Sequence, residues 1–324
     1  PEGLDIVVVR SIRPALAAMA STHRANLNGV VIGITGSSGK TTVRSIAEQV
    51  LGLKGSGTAS IRSFNNDLGV PLTILEASTD DAWLLLEIGT NAPGEIGSLT
   101  AMARPNIGII TGIGRAHLGG FGSEAAIAAE KASMLEVIGR SPGGLAIVNV
   151  DHPAMQSELE KRGDSGLEIV TYGETVDAHR RLKGREVLAS GGQSIEVDAF
   201  RAVLSLDGRH NAINAIGVYE LARRLDIDDA GVATVFGRLE PPARRFVRHS
   251  LNGVLVIDDT YNANPESMRA SLETYAEVAR GAERRIVVLG AMYELGSASK
   301  ALHGTLGAQA AGIADELLLV GEPE

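Results

Sequence analysis

The chain has 324 residues, of which 44% are hydrophobic and only 3% aromatic, which is enough for about two domains with a largely aliphatic core. A formal net charge of −9 argues against a nonspecific nucleic acid binder, because the phosphate backbone needs a positive stripe. The absence of cysteine excludes disulfides and thiol catalysis, and no apolar stretch reaches the ~20 residues of a membrane span. We find no signal-peptide pattern, so we expect a cytoplasmic protein. The sequence lacks an initiator methionine, so we expect the chain to be part of something longer. We also expect a monomer.

The first half of the chain alternates short apolar runs with helical patterns. Four runs bounded by Gly, Pro or Asn predict strands that are buried on both faces of a parallel sheet. They cover residues 30–34, 83–88, 107–111 and 145–149. Between them, residues 41–53 place apolar side chains on one helix face, and residues 123–138 form a second, alanine-rich helical pattern. This alternation predicts an α/β protein with a mostly parallel central sheet flanked by helices.

The second half of the chain has a different pattern of apolar runs. Short runs separated by glycine pairs between residues 165 and 206 predict hairpins, a small antiparallel β region beside the main sheet. Residues 209–223 predict a helix, and residues 253–259 predict a further buried strand, followed by a helix after Pro265. A β-α-β pattern from residue 284 onward predicts the start of a Rossmann-like C-terminal domain, incomplete because one such unit cannot bury its own sheet.

The stretch GITGSSGKTT follows the first predicted strand and opens the first predicted helix. Gly36 and Gly39 let the backbone turn its N–H groups toward a phosphate at the positive end of the helix. Lys40 would neutralise the outer phosphates, and the hydroxyl of Thr41 would ligate Mg²⁺. Ile34 stands where the common GxxxxGK[ST] spacing has a glycine, so the loop is a T-G-x-x-G-K-T variant. The alternative is a strand-to-helix turn whose glycines serve only geometry.

Two further side chains fall at the carboxyl ends of predicted strands, where open parallel sheets bind ligands. Glu87 is the only charge in WLLLEIGTN; it suits Mg²⁺, which prefers oxygen ligands, or a structural cap of a nearby helix. His117 could ligate a metal, orient a phosphate or bond the backbone, and taken alone its structural interpretation is favoured. Lys131, on the alanine-rich helix, is by default a solvated surface lysine.

Taken together, these motifs resemble those of the Mur ligases, the ATP-dependent amide-bond-forming enzymes of peptidoglycan synthesis. The segments ITGSSGKTT, FNNDLGVPLTIL, EIGTNAPGEI, AHLGGFGS, GRHNAINA, DDTYNANPESM and GAMYELG occur in that family's order, from about residue 5 to the end. The NND-GVP and YNANP signatures are more specific than the phosphate loop. They are similar to those of the branch that adds D-alanyl-D-alanine (D-Ala-D-Ala) to UDP-N-acetylmuramoyl-tripeptide (UDP-MurNAc-tripeptide).

The resemblance implies an enzyme in which ATP phosphorylates the terminal carboxylate of the peptide substrate. The amine of D-Ala-D-Ala then attacks the acyl phosphate, and phosphate leaves through a tetrahedral intermediate. Mg²⁺ and Lys40 would stabilise the charge on the transferred phosphoryl group. Two other interpretations stay open: another ligase of the superfamily, of the folylpolyglutamate or cyanophycin type, and an ATP-binding module without ligase activity.

The resemblance also implies site residues by position. The implied ATP contacts are Thr35, Gly36, Ser37, Ser38, Gly39, Lys40, Thr41, Thr42, His210, Asn211, Asn214, Arg244, Asp259, Tyr261, Asn262 and Asn264. The implied metal ligands are Thr41, Glu87, His117 and Lys131, the last as the lysine that carries a carbamate in this family. The implied catalytic residues are Lys40, His117, Lys131 and Arg244, and the implied substrate contacts are Asn65 and Asn66.

Some of these positions keep an alternative. Asn65 and Asn66 also suit a turn, and Asn211 also suits the cap of a helix. Arg244 matches the family's phosphate-contacting arginine, but the neighbouring Arg245 could be the true equivalent.

The sequence departs from the family pattern at three places. Ala291 replaces a usual Asp, Gly119 and Gly120 stand where a Glu commonly follows the leucine, and most of the N-terminal UDP-sugar-binding domain is absent. We therefore expect three parts. They are residues 1–28 as the final strand and helix of that N-terminal domain, 29–281 as the central ATP-binding ligase domain, and 282–324 as the incomplete beginning of the C-terminal ligase domain.

Overall fold

The computed structural model describes residues 7–61, 64–163 and 166–321. The strands are β1 (Val30–Thr35), β2 (Gly57–Ala59), β3 (Trp83–Glu87), β4 (Ile107–Ile110), β5 (Leu145–Asn149), β6 (Glu168–Gly173), β7 (Arg180–Val187), β8 (Gln193–Val197), β9 (Phe200–Leu204), β10 (Val247–Leu251), β11 (Val254–Asp258), β12 (Ile286–Gly290) and β13 (Glu316–Val320). The helices are α1 (Ile12–Arg24), α2 (Lys40–Leu51), α3 (Gly69–Glu76), α4 (Glu95–Ala103), α5 (Leu118–Phe121), α6 (Glu124–Ile138), α7 (Pro153–Arg162), α8 (Arg209–Arg224), α9 (Asp229–Phe236), α10 (Pro265–Val278) and α11 (Ser299–Ala311).

Nine strands form one sheet in the order β2-β3-β1-β4-β5-β6-β7-β8-β9. Neighbours from β2 through β7 are parallel, while β7-β8 and β8-β9 are antiparallel. The predicted α/β fold with a mostly parallel sheet and a small antiparallel region is thereby confirmed. The hairpins continue the main sheet at one of its edges.

The central strands are apolar along their whole length because helices cover both faces of the sheet. Ile32 and Ile34 of β1 pack with residues of α2 and α8 on one face. Val31, which points to the other face, packs with residues of α1, α3, α4 and α6. All residues of β3 and β4 are buried for the same reason.

The register of the parallel strands brings the predicted site residues to one edge. Ile34 pairs with Glu87, and Thr35 pairs with Ile110. The carboxyl ends of β1, β3 and β4 therefore lie side by side. The phosphate loop, Glu87 and the segment that carries His117 all start from this edge.

The part of the chain from β10 onward, which we call the C-terminal part, contains two small sheets. β10 and β11 form an antiparallel pair, and β12 and β13 form a parallel pair with α11 between them in sequence. Leu272 of α10 packs with Val287 of β12 and Leu306 of α11. The prediction of a buried strand at residues 253–259 was half wrong: β11 is a strand, but residues 254–256 are exposed. An apolar run favours an extended strand, and burial needs a second packed layer.

The predicted N-terminal part contributes α1, which packs against α3 and α4. Residues 7–10 form no strand, because an extended segment becomes a strand only when a neighbouring strand pairs with it. Residues 1–6 of this part, like residues 322–324 of the predicted C-terminal domain, lie outside the described residues. Across the described ranges, every helix is too short or too polar to cross a bilayer.

Candidate active site

A cleft opens at the carboxyl edge of the sheet. One side of its lining consists of the phosphate loop at residues 37–42 together with Glu87 and His117, which we call the sheet wall. The other side comes from the segment after α9, and we call it the C-terminal wall. It consists of Arg245, Phe246, Asp259, Tyr261 and Asn262. Side chains that are far apart in sequence thus share one cavity.

Two glycines give the phosphate loop its shape. Gly36 has a φ of 149° and Gly39 a φ of 87°. A Cβ on Gly36 would lie 1.9 Å from Oγ1 of Thr111, and a Cβ on Gly39 would lie 2.7 Å from Oδ1 of Asn214. Dihedral angle and space both exclude a side chain at these positions. The turn geometry therefore agrees with phosphate binding and with the purely structural alternative.

Lys40 begins α2 and folds back over the loop. Its Nζ donates to the carbonyl oxygen of Gly36 at 2.7 Å. Burial lowers the pKa of Lys40; the carboxylate of Glu87 opposes this shift and the guanidinium of Arg245 adds to it. A half-buried cation at the N-terminus of a helix makes the loop a favourable place for an anion, which would offset the cost of desolvating the lysine.

Glu87 ends β3 and is 1% exposed. Its Oε1 accepts hydrogen bonds from Nδ2 of Asn65 at 2.9 Å and from Oγ1 of Thr41 at 3.4 Å. Its Oε2 is buried without a hydrogen-bond partner in the described part of the chain, with Nε of Arg44 at 3.9 Å. A buried carboxylate oxygen without a donor, beside a threonine hydroxyl, is a set of ligands that suits Mg²⁺.

His117 precedes the short helix α5 and lines the same cleft as Glu87. Its φ of 62° lies in the left-handed region, which is uncommon for a residue other than glycine. Its Nδ1 contacts the carboxylate of Glu294 from the C-terminal part. Within the described ranges, no group of three or more His, Asp or Glu side chains could hold a metal ion. A metal at Glu87 and His117 would therefore need other ligands, such as phosphate oxygens.

Lys131 lies on α6 and is only 3% exposed, so the default expectation of a solvated surface lysine was wrong. Burial lowers its pKa to about 7, and the positive charge of Lys40 acts in the same direction. Glu130 and Glu95 oppose the shift. An amine with this pKa is partly neutral, and therefore reactive, near pH 7.

On the C-terminal wall, Arg245 lines the cleft and Arg244 does not. The guanidinium carbon of Arg245 lies 4.2 Å from the centre of the Tyr261 ring, a cation–π contact. Burial lowers the pKa of Arg245, and it raises the pKa of Asp259 beside it. Arg244 is exposed, and its φ is 59°. Of the two arginines that the sequence left open, Arg245 is the one placed to reach a bound ligand.

The predicted adenine contacts His210, Asn211 and Asn214 lie in the first turns of α8 and line the cleft. Burial lowers the pKa of His210 to about 4, so its ring is neutral at pH 7. Nδ2 of Asn211 donates to the carbonyl of Asp207 at 2.8 Å, and the cap of the helix is Gly208. The helix-cap alternative for Asn211 was therefore wrong.

Two other asparagines of the lining support the local backbone. Oδ1 of Asn264 accepts a hydrogen bond from the backbone N–H of Ser267 at 2.9 Å and so caps α10. Oδ1 of Asn66 accepts one from the N–H of Gly69 at 2.9 Å, which is the turn that the sequence kept as an alternative. Both still line the cleft.

Four predicted site residues lie outside the lining. They are Thr35, Gly36, Lys131 and Arg244. Sequence reasoning in turn missed Arg44 and Glu294. Arg44 stands one helical turn after Lys40, a spacing that could have indicated it. Glu294 had no local signal, because its partner His117 lies 177 residues away in sequence.

Two family models match this chain. The Mur ligase middle domain matches residues 34–222, and the Mur ligase, glutamate ligase domain matches residues 237–324. The chain therefore belongs to the Mur ligase family. The second match begins before residue 282, where the sequence predicted the start of the C-terminal domain, and the domain boundaries stay a prediction.

Within the family, one kind of ligase recurs among the similar proteins. The chain is 33% identical to the UDP-N-acetylmuramoyl-tripeptide–D-alanyl-D-alanine ligase of Mycobacterium leprae, covering 92% of this chain and 62% of that protein. The chain is 32% identical to the ligase of the same name from Escherichia coli, and the match covers 99% of this chain and 72% of that protein. The chain spans about three fifths of the length of the first curated relatives it matches.

Solved structures give the same picture. MurF from Acinetobacter baumannii superposes with a TM-score of 0.89 at 29% identity, covering 99% of this chain and 71% of that one. MurF from Thermotoga maritima in complex with ADP superposes with a TM-score of 0.86 at 29% identity, covering 100% and 74%. A folylpolyglutamate synthase from Mycobacterium tuberculosis shares the fold. It superposes with a TM-score of 0.73 at 16% identity, covering 95% of this chain and 84% of that one.

Proposed function

We propose that this chain carries the ATP-binding core of a peptidoglycan ligase that joins D-Ala-D-Ala to UDP-MurNAc-tripeptide. The observation that carries the proposal is the shared cleft, whose lining includes the phosphate loop, Glu87 and His117 together with the C-terminal wall. The substrates come from the names of the similar ligases. We further propose that the protein works as a monomer in the cytoplasm, on small molecules and not on nucleic acid.

ATP would lie along the cleft with its triphosphate on the phosphate loop. The backbone N–H groups of the loop and the ammonium of Lys40 would hold the phosphates, with Thr35 and Gly36 shaping the loop from behind. Adenine would lie near His210, Asn211 and Asn214. The groups that would close the site near ribose and phosphate are Arg245, Asp259, Tyr261, Asn262 and Asn264.

The residues around Glu87 fit a divalent cation. The buried Oε2 of Glu87 lacks a hydrogen-bond partner among the described residues, and the hydroxyl of Thr41 lies beside Oε1. Glu87, Thr41 and His117 would hold Mg²⁺ together with phosphate oxygens. Bound there, the ion would neutralise charge on the transferred phosphoryl group.

Lys131 would carry a carbamate. Its neutral amine can attack the carbon of CO₂ and lose a proton, and a pKa of about 7 leaves much of the amine neutral in the cytoplasm. The product is an anion close to the charge of Lys40. Carbamylation would place a negative charge near the ammonium of Lys40, where a protonated Lys131 would be repelled, which supports this role for an otherwise costly buried lysine.

The proposed reaction uses these groups in sequence. An oxygen of the substrate carboxylate attacks the γ-phosphorus of ATP, and ADP leaves. The amine of D-Ala-D-Ala then attacks the acyl carbon, and inorganic phosphate leaves from the tetrahedral intermediate. Lys40 and Arg245 would hold the phosphate oxygens throughout. Asn66 would contact the peptide substrate, and Asn65 would do so while it orients Glu87.

Phosphate release from ATP in the presence of Mg²⁺ tests the proposal. We expect release that requires both UDP-MurNAc-tripeptide and D-Ala-D-Ala and is lost in Lys40→Ala. Lys54→Ala is the matched control, because Nζ of Lys54 donates to the carbonyl of Leu225, outside the cleft lining. Release with a folate and glutamate instead would assign the folylpolyglutamate type. Nucleotide binding without turnover of either pair would indicate a binding module.

A further inference from the structure

The C-terminal part touches the sheet wall at one histidine. Oε2 of Glu294 contacts Nδ1 of His117, and the backbone carbonyl of the same glutamate accepts a hydrogen bond from the N–H of Gly119 at 3.0 Å. Glu294 lies in the loop between β12 and the short 3₁₀ turn at Gly296–Ala298. One residue of the C-terminal part therefore holds both the side chain and the following backbone of a candidate metal ligand.

Both partners adopt an unusual backbone conformation. His117 has a φ of 62° and Glu294 has a φ of 63°. Left-handed conformations at residues other than glycine persist only where the surroundings hold them, and they cluster at functional sites. Here each of the two residues holds the other, across 177 positions of sequence.

The close approach of the Glu294 loop to the backbone after His117 also depends on the absence of a side chain at Gly119. A Cβ on Gly119 would lie 3.0 Å from the carbonyl oxygen of Glu294 and 3.3 Å from the backbone nitrogen of Gly296. A side chain at position 119 would therefore require this loop to shift by a few tenths of an ångström. The glycine of this chain therefore permits the contact.

As an ion pair the contact contributes little to stability, because the side chain of His117 is 33% exposed and that of Glu294 is 62% exposed. Its effect on the imidazole is larger. A carboxylate at Nδ1 of a neutral ring keeps the proton on that nitrogen and leaves Nε2 as the nitrogen that can bind a metal. The same contact restricts rotation of the ring.

We propose that Glu294 is a positioning residue, which orients His117 for the divalent cation and thereby couples the C-terminal part to the cation site. The inference rests on the proposed function, in which His117 is a metal ligand. It adds a residue of the C-terminal part that acts through the histidine and does not touch the substrates.

Binding of Mn²⁺ tests the coupling. The free Mn²⁺ signal in electron paramagnetic resonance measures its affinity for the protein loaded with a non-hydrolysable ATP analogue. We expect Glu294→Ala to weaken Mn²⁺ binding about tenfold, as loss of a group that orients a metal-bound histidine does. Glu294→Gln should retain most of the affinity, because its amide oxygen still accepts from Nδ1–H.

A double-mutant cycle shows whether Glu294 acts through the histidine. Once His117→Ala has removed the ligand, Glu294→Ala should cause no further loss. Independent losses would overturn the proposal, as would an unchanged affinity in Glu294→Ala while His117→Ala weakens binding. If His117→Ala itself has no effect, the assignment of the histidine in the proposed function is wrong and the inference falls with it.

A readout without metal or turnover completes the test. Nitrogen-15 NMR of the His117 ring should show the proton on Nδ1 in the unmodified protein and a mixture of tautomers in Glu294→Ala. Gly119→Ala should weaken Mn²⁺ binding in the same direction but less. Gly120→Ala is its matched control, since a Cβ there would meet nothing closer than 3.6 Å, and it should leave binding unchanged. An unchanged ring in Glu294→Ala would overturn the proposal.

Discussion

The two walls of the cleft differ in what supports them. The sheet wall rises from strands packed between helices, and Leu85 in the middle of β3 is 0% exposed. The C-terminal wall belongs to a part with two-stranded sheets, where Leu319 of β13 is 72% exposed. Yet WLLLE and ELLLV are similar in composition, and both form strands. An apolar run favours an extended strand, while the layers packed on it set its burial.

The difference extends to the charged groups of the site. The sheet wall buries Glu87, Lys131 is buried behind it, and Lys40 is half-buried. On the C-terminal side Glu294 is exposed, whereas Arg245 is half-buried, as Lys40 is. We infer that the sheet wall sets the chemistry of the site, and that the C-terminal wall adjusts how its groups are presented.

The largest expected contrast concerns the buried lysine of the sheet side. With a pKa of about 7, Lys131 is mostly neutral at pH 8, and it presents roughly 200 times more neutral amine than a lysine with the ordinary pKa near 10.4. Its carbamate should therefore form at pH 8 and disappear below pH 7, where the amine becomes protonated. Carbon-13 NMR with labelled bicarbonate measures it, and Lys131→Arg is the control. A carbamate that persists in this variant, or equally at pH 6, would contradict the prediction.

Substituting one leucine in each region, Leu85 and Leu319, compares how much the packing there contributes to the free energy of unfolding. Leu85→Ala should lower the free energy of unfolding by about 3 kcal/mol, because it opens a cavity in the central core. Leu319→Ala should change it by less than about 0.5 kcal/mol, because its side chain is already solvated. Urea denaturation can be followed by circular dichroism and by fluorescence of Trp83, the single tryptophan, which lies in β3. Similar losses in the two variants would remove the contrast between the walls.

The phosphate loop should dominate nucleotide affinity. Lys40→Ala removes the half-buried cation of the sheet wall, and we expect ADP binding to weaken by about 2 kcal/mol, or roughly 30-fold, as for the loss of a charged hydrogen bond. Lys54→Ala, beyond the end of α2, should leave the affinity unchanged. Isothermal titration calorimetry measures both. Equal affinity in the two variants would mean that the nucleotide does not bind at this loop.

The smallest predicted effect separates the adjacent arginines of the C-terminal wall. Arg245→Ala should weaken ADP binding by about 1 kcal/mol, since it removes a cleft-lining cation that stacks on Tyr261. Arg244→Ala should stay within about twofold of the unmodified protein, as expected for a surface substitution. The same calorimetric titration applies. A larger loss in Arg244→Ala would restore the assignment that the family resemblance made first.

Much of the central fold could be predicted from the sequence because its signals are local. Residues 41–53 show helical spacing, and α2 buries Val43, Ile46 and Val50 on that face. The pattern at residues 123–138 became α6, with Ser123 accepting a hydrogen bond from Ala126 as the cap. Because strand ends share an edge in a parallel sheet, the sequence also predicted that the phosphate loop, Glu87 and His117 would meet.

By itself the sequence predicted the central strands β1, β3, β4 and β5, the helices α2, α6 and α8, the glycine-dependent phosphate loop and the order of the residues at the edge of the sheet. These features follow from dihedral preferences and from the periods of apolar residues over short stretches. Only the tertiary structure decided that Lys131 is buried, that Arg245 and not Arg244 lines the cleft, that β11 is exposed and that Glu294 reaches His117. Burial and pairing depend on which distant segments pack together, and a local pattern of residues does not identify those segments.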